Sequence, residues 1–259
     1  MPVAAGLYYE DHGYRAGVPL ILSSGLGGSA SYWSPNLSAL SARHRVIAYD
    51  HRGTGRSDRL LPDDVRVEDL ADDIIMLMDA LDIERAHVVG HAAGGVAGLA
   101  LALKAPERLD RLVVVNGWAR ADPHFLRCFA ARLALLRHAG VDAFLRAQPI
   151  FLYPADWISQ HSGELDAELP HQLASFPGIA TMEKRIAALA GFDIADRLAE
   201  LPPRILVLAA RDDMLVPASA SYAFRAVAGV KMVEMAGGHA CNVTDPETFD
   251  TLVLDFLRS

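Results

Sequence analysis

Six short runs along the chain are apolar at nearly every position: PLILSS from Pro19, VIAYD from Val46, HVVG from His87, RLVVVNG from Arg111, RILVLA from Arg204 and KMVEMA from Lys231. Runs of this length without polar alternation predict strands buried on both faces, as in a parallel sheet. Between them lie stretches whose apolar residues recur at helical spacing, among them Val67 to Leu81, Ala92 to Leu103 and Glu247 to Leu257. Alternation of strand and helix predicts an α/β fold with crossover helices on a mostly parallel, doubly wound sheet.

The alternation breaks once. From RLVVVNG to RILVLA there is no convincing buried strand, while FLRCFAARLALLRHAG and DAFLRAQPIFL carry helical periodicity and Pro149, Pro154, Pro170 and Pro177 interrupt the stretch. Residues 118–198 therefore read as a mostly helical cap inserted between two parts of one core, residues 1–117 and 199–259. Inserted lids of this kind close over a site and keep water out.

Composition narrows the partners. The chain has 259 residues, 52% of them hydrophobic and 22% charged, which suits a compact core rather than disorder. A net charge of −8 with no basic run argues against nucleic acid and anionic membranes, both of which require clustered Lys and Arg. The run from Val88 to Leu103 is too short and too rich in glycine for a membrane span and contains His91. MPVAAGLYYEDHGY lacks the charged and then apolar pattern of a signal peptide, and the two cysteines, Cys128 and Cys241, stand in no Cys-x-x-Cys motif, so a cytoplasmic protein with free thiols is expected. Gly53-Thr-Gly55 lacks the third glycine of a dinucleotide loop, and no cofactor or metal is expected.

Open parallel sheets bind ligands beyond the carboxyl ends of their strands. Four segments fall at such ends: Ser24-Gly25-Leu26-Gly27-Gly28, Gly90 to Gly94, Arg211-Asp212-Asp213 and Gly237-Gly238-His239. The second has the rhythm of G-x-S-x-G, a strand turning sharply into a helix to present a nucleophile, but its middle residue is Ala92. Ser23, Ser24 and Cys241 are nearby alternative nucleophiles, although none sits on the turn that would expose one. His91, beside Ala92, suits packing or hydrogen bonding and is also a candidate for proton transfer.

Taken in order, and with YDHRGTGRSD at 49–58, these segments resemble the α/β-hydrolase superfamily over nearly the whole chain, cap included. The resemblance implies a catalytic His239 paired with an acid. Asp213, four residues before Pro217, fits the acid's position better than Asp212. It also implies an oxyanion hole formed by the Leu26 and Ala93 amides. LILSSGLGGSASYW, VVGHAAGG, VVNGWAR, AQPIFLYPADW and GGHACNVTDPETF resemble, more closely, the hydrolase family of the bacterial Rut pathway of pyrimidine degradation, whose elbow also reads Gly-His-Ala. That resemblance implies a cofactor-free hydrolase of a non-peptide carbon-nitrogen bond, acting on carbamate or aminoacrylate. Either is a small carboxylate needing proton transfer rather than an acyl-enzyme. An anion site is then expected at the amino terminus of the helix after Ala92, with Arg120 and Arg127 near the start of the cap as accessory cations. A homodimer is among the assemblies this reading allows.

Overall fold

A computed structural model describes residues 1–13 and 16–258. The six apolar runs all form strands: β3 (Leu20–Ser23), β4 (Arg45–Tyr49), β5 (Ala86–His91), β6 (Leu109–Val115), β7 (Ile205–Ala210) and β8 (Val230–Met235). Two more precede them, β1 (Val3–Ala4) and β2 (Leu7–Gly13). The sheet runs β1-β2-β4-β3-β5-β6-β7-β8, with β1 antiparallel to β2, β2 antiparallel to β4, and the six strands β4, β3, β5, β6, β7 and β8 parallel to one another.

Successive side chains on a strand point to opposite faces, so each apolar run feeds two cores. Ile21, Ile47, Val88, Val114 and Val207 pack on one side against α2 (Val67–Ala80) and α3 (Ala93–Lys104). Leu20, Leu22, Val89, Val113 and Leu208 pack on the other, against α1 (Ser34–Ser41) and α10 (Pro246–Arg258), which follows the short α9 (Cys241–Thr244). One expectation needs correcting: β8 is an edge strand, with Lys231 and Glu234 exposed, and not a strand buried on both faces. Charges there protect an open edge from pairing with another chain.

Between β6 and β7 lie five helices, α4 (Pro123–His138), α5 (Gly140–Leu152), α6 (Ala155–Gln160), α7 (Ser162–Ser175) and α8 (Ile179–Gly191). The prolines divide them less than their number suggests. Pro149 and Pro170 lie inside α5 and α7, while Pro154 immediately precedes α6. The chain entering this layer pairs with the chain leaving it through an antiparallel bridge between Arg120 and Asp193, and the Ile194 amide donates to the Ala119 carbonyl at 2.8 Å. Among the described residues no helix is long and apolar enough to cross a membrane.

Candidate active site

The turn after β5 is tight for physical reasons. Ala92 adopts φ 47° and ψ −104°, a region L-residues rarely occupy, and the strain persists because packing on both sides fixes it. A Cβ on Gly94 would collide with the Ser23 carbonyl, so only glycine lets the start of α3 approach β3 this closely. The Gly94 amide donates to the Ser24 carbonyl at 2.9 Å, and the Ala92 amide to that of Val115 at 2.8 Å. Ala92 is thus held at the carboxyl end of the sheet with only a methyl group to present. No side chain caps α3, and among the described residues no backbone carbonyl accepts from the Ala93 or Leu26 amides. Those two donors, with their partial positive charge, lie on the turns flanking Ala92.

His239 follows β8 and is buried, with its Nδ1 2.7 Å from Asp213 Oδ2. The other carboxylate oxygen of Asp213 accepts from the amides of Leu215 and Val216 at 2.7 and 2.9 Å. With Oδ1 committed to two N–H donors, Oδ2 is left to accept the Nδ1 proton, which leaves Nε2 for chemistry. Asp212 plays a different part: its carboxylate accepts from the Gly237 and Gly238 amides, at 3.0 Å to Oδ1 for both, and shapes the turn ahead of His239.

The His239 turn is fixed from below. Its carbonyl accepts from His91 Nε2 at 2.8 Å and from Asn116 Nδ2 at 2.7 Å. Asn116 Oδ1 in turn accepts from the Ala210 amide at 2.7 Å, so one side chain ties the ends of β6 and β7 to the histidine turn. Asn116 has φ 49°, which its short polar side chain tolerates. Sequence reasoning passed over it, although an Asn-Gly at a strand end was the available signal. His91 packs edge-on to the His239 ring, with 4.7 Å between centroids, and stacks on Tyr32 at 4.9 Å. Burial first, and then the neighbouring His239, hold His91 neutral, well below the usual histidine range. Its Nδ1 has no hydrogen-bond partner among the described residues, and a Cβ on Gly25 would come within 2.8 Å of it.

The alternative nucleophiles are poorly placed. Ser23 Oγ is buried between Tyr49 Oη at 2.9 Å and His51 Nε2 at 3.1 Å. Burial pushes the Cys241 thiol up to about 12, far from a thiolate at neutral pH. Ser24 Oγ is buried with no hydrogen-bond partner among the described residues. Among the described residues no group of three or more His, Cys, Asp or Glu side chains is arranged to hold a metal ion.

The arginines differ most from expectation. Arg120 is exposed and bound to Asp193 at 2.6 Å, and Arg127 is exposed and donates to the Pro123 carbonyl at 3.1 Å. Two other arginines of the same layer are buried instead: Arg132 on α4 and Arg185 on α8. Arg185 bridges to the core, donating from Nε to the Leu26 carbonyl at 3.1 Å, from Nη1 to the Arg52 carbonyl at 3.2 Å and from Nη2 to His51 Nδ1 at 2.9 Å. A small void beside Arg185 and Ala93 is otherwise lined by apolar side chains, Val65, Leu70, Ala188 and Leu189.

Comparison with known proteins agrees with this geometry. The α/β hydrolase fold family model matches residues 18–246. A protein of Caulobacter sp. strain K31 named "Putative carbamate hydrolase RutD" is 54% identical over 256 residues, covering 97% of this chain and 96% of its own. The protein of the same name from Agrobacterium fabrum is 46% identical over 257 residues, covering 97% and 98%. Among solved structures, the enol-lactonase from Burkholderia xenovorans superposes with a TM-score of 0.88 at 28% identity, over 99% of this chain and 98% of that one.

Proposed function

The chain belongs to the α/β-hydrolase fold family and, within it, to the RutD group, and from that premise we propose that it cleaves the carbon-nitrogen bond of carbamate or aminoacrylate in pyrimidine breakdown. The observation that carries this reading is a buried histidine-carboxylate pair, His239 and Asp213 at 2.7 Å, beside an elbow whose own side chain is a methyl group. Such a site moves protons without covalent attack.

For carbamate, protonated His239 gives its Nε2 proton to the substrate nitrogen. The carbon-nitrogen bond then breaks, ammonia departs with the bonding pair, and the remainder is carbon dioxide. Asp213 stabilises the imidazolium that gives up the proton. For aminoacrylate, proton transfer converts the enamine to an imine, water adds to the imine carbon, and a second transfer to nitrogen releases ammonia and leaves an aldehyde. In both reactions the substrate carboxylate lies against the Leu26 and Ala93 amides at the start of α3, where the room left by a serine hydroxyl is free. The buried free thiols Cys128 and Cys241 support a cytosolic setting.

The test is ammonia release from freshly generated carbamate and aminoacrylate, measured against buffer because both decompose unaided. Wild type should exceed the buffer rate and His239→Ala should fall to it. A wild type no faster than buffer defeats the proposed activity, and a fully active His239→Ala defeats the proton-transfer role.

A further inference from the structure

Arg132 is 3% exposed, yet among the described residues no carboxylate lies within ion-pair reach of it. Its Nε has no hydrogen-bond partner, and Nη2 donates only to Gln148 Oε1 at 3.2 Å. The guanidinium lies among three rings, 5.1 Å from the centroids of Phe129 and Phe144 and 5.5 Å from that of Phe151. Burial lowers its pKa to about 10, which leaves it cationic at neutral pH. Aromatic faces offset part of the desolvation of a cation, but they do not accept the in-plane N–H bonds through which a guanidinium grips a partner. An isolated buried charge of this kind is destabilising unless something anionic completes it.

Both helices around Arg132 are seated on the catalytic turns. One turn earlier on α4, Cys128 Sγ donates to the Met214 carbonyl at 3.5 Å, next to Asp213. Beside Phe151, at the end of α5, the Leu152 carbonyl accepts from the Ala240 amide at 3.0 Å, next to His239. Arg185, the other buried arginine of the layer, has committed all three of its nitrogens to protein acceptors and serves as a clamp on the Leu26 turn.

We propose that Arg132 is a substrate-binding residue that grips, from the cap side, the same substrate carboxylate that the Leu26 and Ala93 amides meet from the core, a proposal that rests on the reading of this site as one for a small carboxylate. Nε and one Nη form the planar fork that matches a carboxylate. The cation thereby selects the anionic substrate over a neutral analogue of the same shape.

The experiment is calorimetric titration of full-length protein with propionate and, as the uncharged control, propionamide. Wild type should bind propionate and discriminate against propionamide. Arg132→Met should fold with an unchanged or raised Tm and bind propionate at least about 30-fold more weakly, with propionamide unaffected. Arg132→Lys, which keeps the charge and loses the fork, should fall between them, and it carries the test if the methionine variant does not fold. Equal binding of propionate by wild type and either folded variant overturns the assignment, as does a wild type that does not prefer the anion. Binding needs no turnover, so the two readings separate. A wild type that binds propionate but releases no ammonia loses the proposed activity and keeps the subsite, whereas an active wild type whose Arg132 variants bind normally loses the subsite alone.

Discussion

Replacing Asp213 by asparagine separates the chemistry of the pair from its contribution to the fold. Three donors converge on the carboxylate: the Leu215 and Val216 amides on Oδ1, at 2.7 and 2.9 Å, and His239 Nδ1 on Oδ2, at 2.7 Å. An asparagine must turn its carbonyl oxygen toward the two amides, because the opposite orientation sets an NH₂ against both and leaves them unpaired, at about 1–3 kcal/mol each. Its NH₂ then faces Nδ1, which has to become an acceptor, so the ring proton moves to Nε2. Every hydrogen bond survives, but the negative charge that supports an imidazolium is gone. A hydrogen bond to a charged group contributes about 1.5–3 kcal/mol, and a positioned general acid is worth about 10²–10⁴ in rate. Ammonia release by Asp213→Asn should therefore fall by about 10²-fold or more, while Tm stays within about 3 °C of wild type. Asp213→Ala, which orphans all three donors, should instead lose about 3–5 kcal/mol, a drop of about 10 °C. Thermal melts, ammonia release and the ¹⁵N shifts of the His239 ring read the two effects separately. Ammonia release within twofold of wild type in Asp213→Asn would refute the role given to the charge. A melting loss equal to that of Asp213→Ala would refute the orientation argument.

Two further perturbations test other parts of the structure. Ala92→Ser returns a hydroxyl to the elbow and should leave ammonia release no faster than wild type; a gain of about tenfold or more would mean that a nucleophile had been the missing part after all. Asp250, on α10, accepts from Asn36 Nδ2 at 2.9 Å, yet burial raises its carboxyl from 3.8 to about 6. A raised carboxyl favours the fold while protonated, so this contribution is full below pH 3.8 and is lost as pH rises through 6. Asp250→Asn keeps the acceptor without the charge and should stabilise the protein by about 1–2 kcal/mol at pH 8, with a much smaller gain at pH 4. Melts at the two pH values check this, and an equal gain at both would show that titration is not the cause.

The interior parallel strands were legible because burial on both faces leaves an apolar run, as in Leu20 to Ser23, whose four residues are all buried. β2 was not, because LYYEDHG places Glu10, Asp11 and His12 at half-buried positions on a strand that pairs antiparallel near the margin of the sheet. Its neighbour β4 supplies the reason it is a strand, and that information lies more than thirty residues away in sequence. At the site, residues fixed by backbone geometry were legible: a Cβ at Gly90 or Gly94 would collide with backbone, and Ala92 takes the positive φ at which β5 turns into α3. Asn116 acts through bonds to Ala210 and His239, and nothing local to VVNGW specifies either partner.

The arginines show where local pattern still holds information. Phe125, Phe129, Arg132 and Leu136 are all buried on α4 and are spaced by four, three and four residues, the interval of one helical face. Met182, Arg185, Ile186 and Leu189 form the corresponding stripe on α8. An arginine inside an apolar stripe is either brought into the interior or breaks the stripe, whereas Arg120 precedes the first cap helix and Arg127 lies off the buried face. The stripe therefore identifies which arginines are buried. What each one meets is decided by the core beneath the cap: Arg185 reaches the carbonyls of the Leu26 and Arg52 turns, and among the described residues Arg132 reaches only aromatic faces and one amide oxygen. The same burial thus yields a structural clamp in one case and an unneutralised cation in the other. Only the second has capacity left for a substrate.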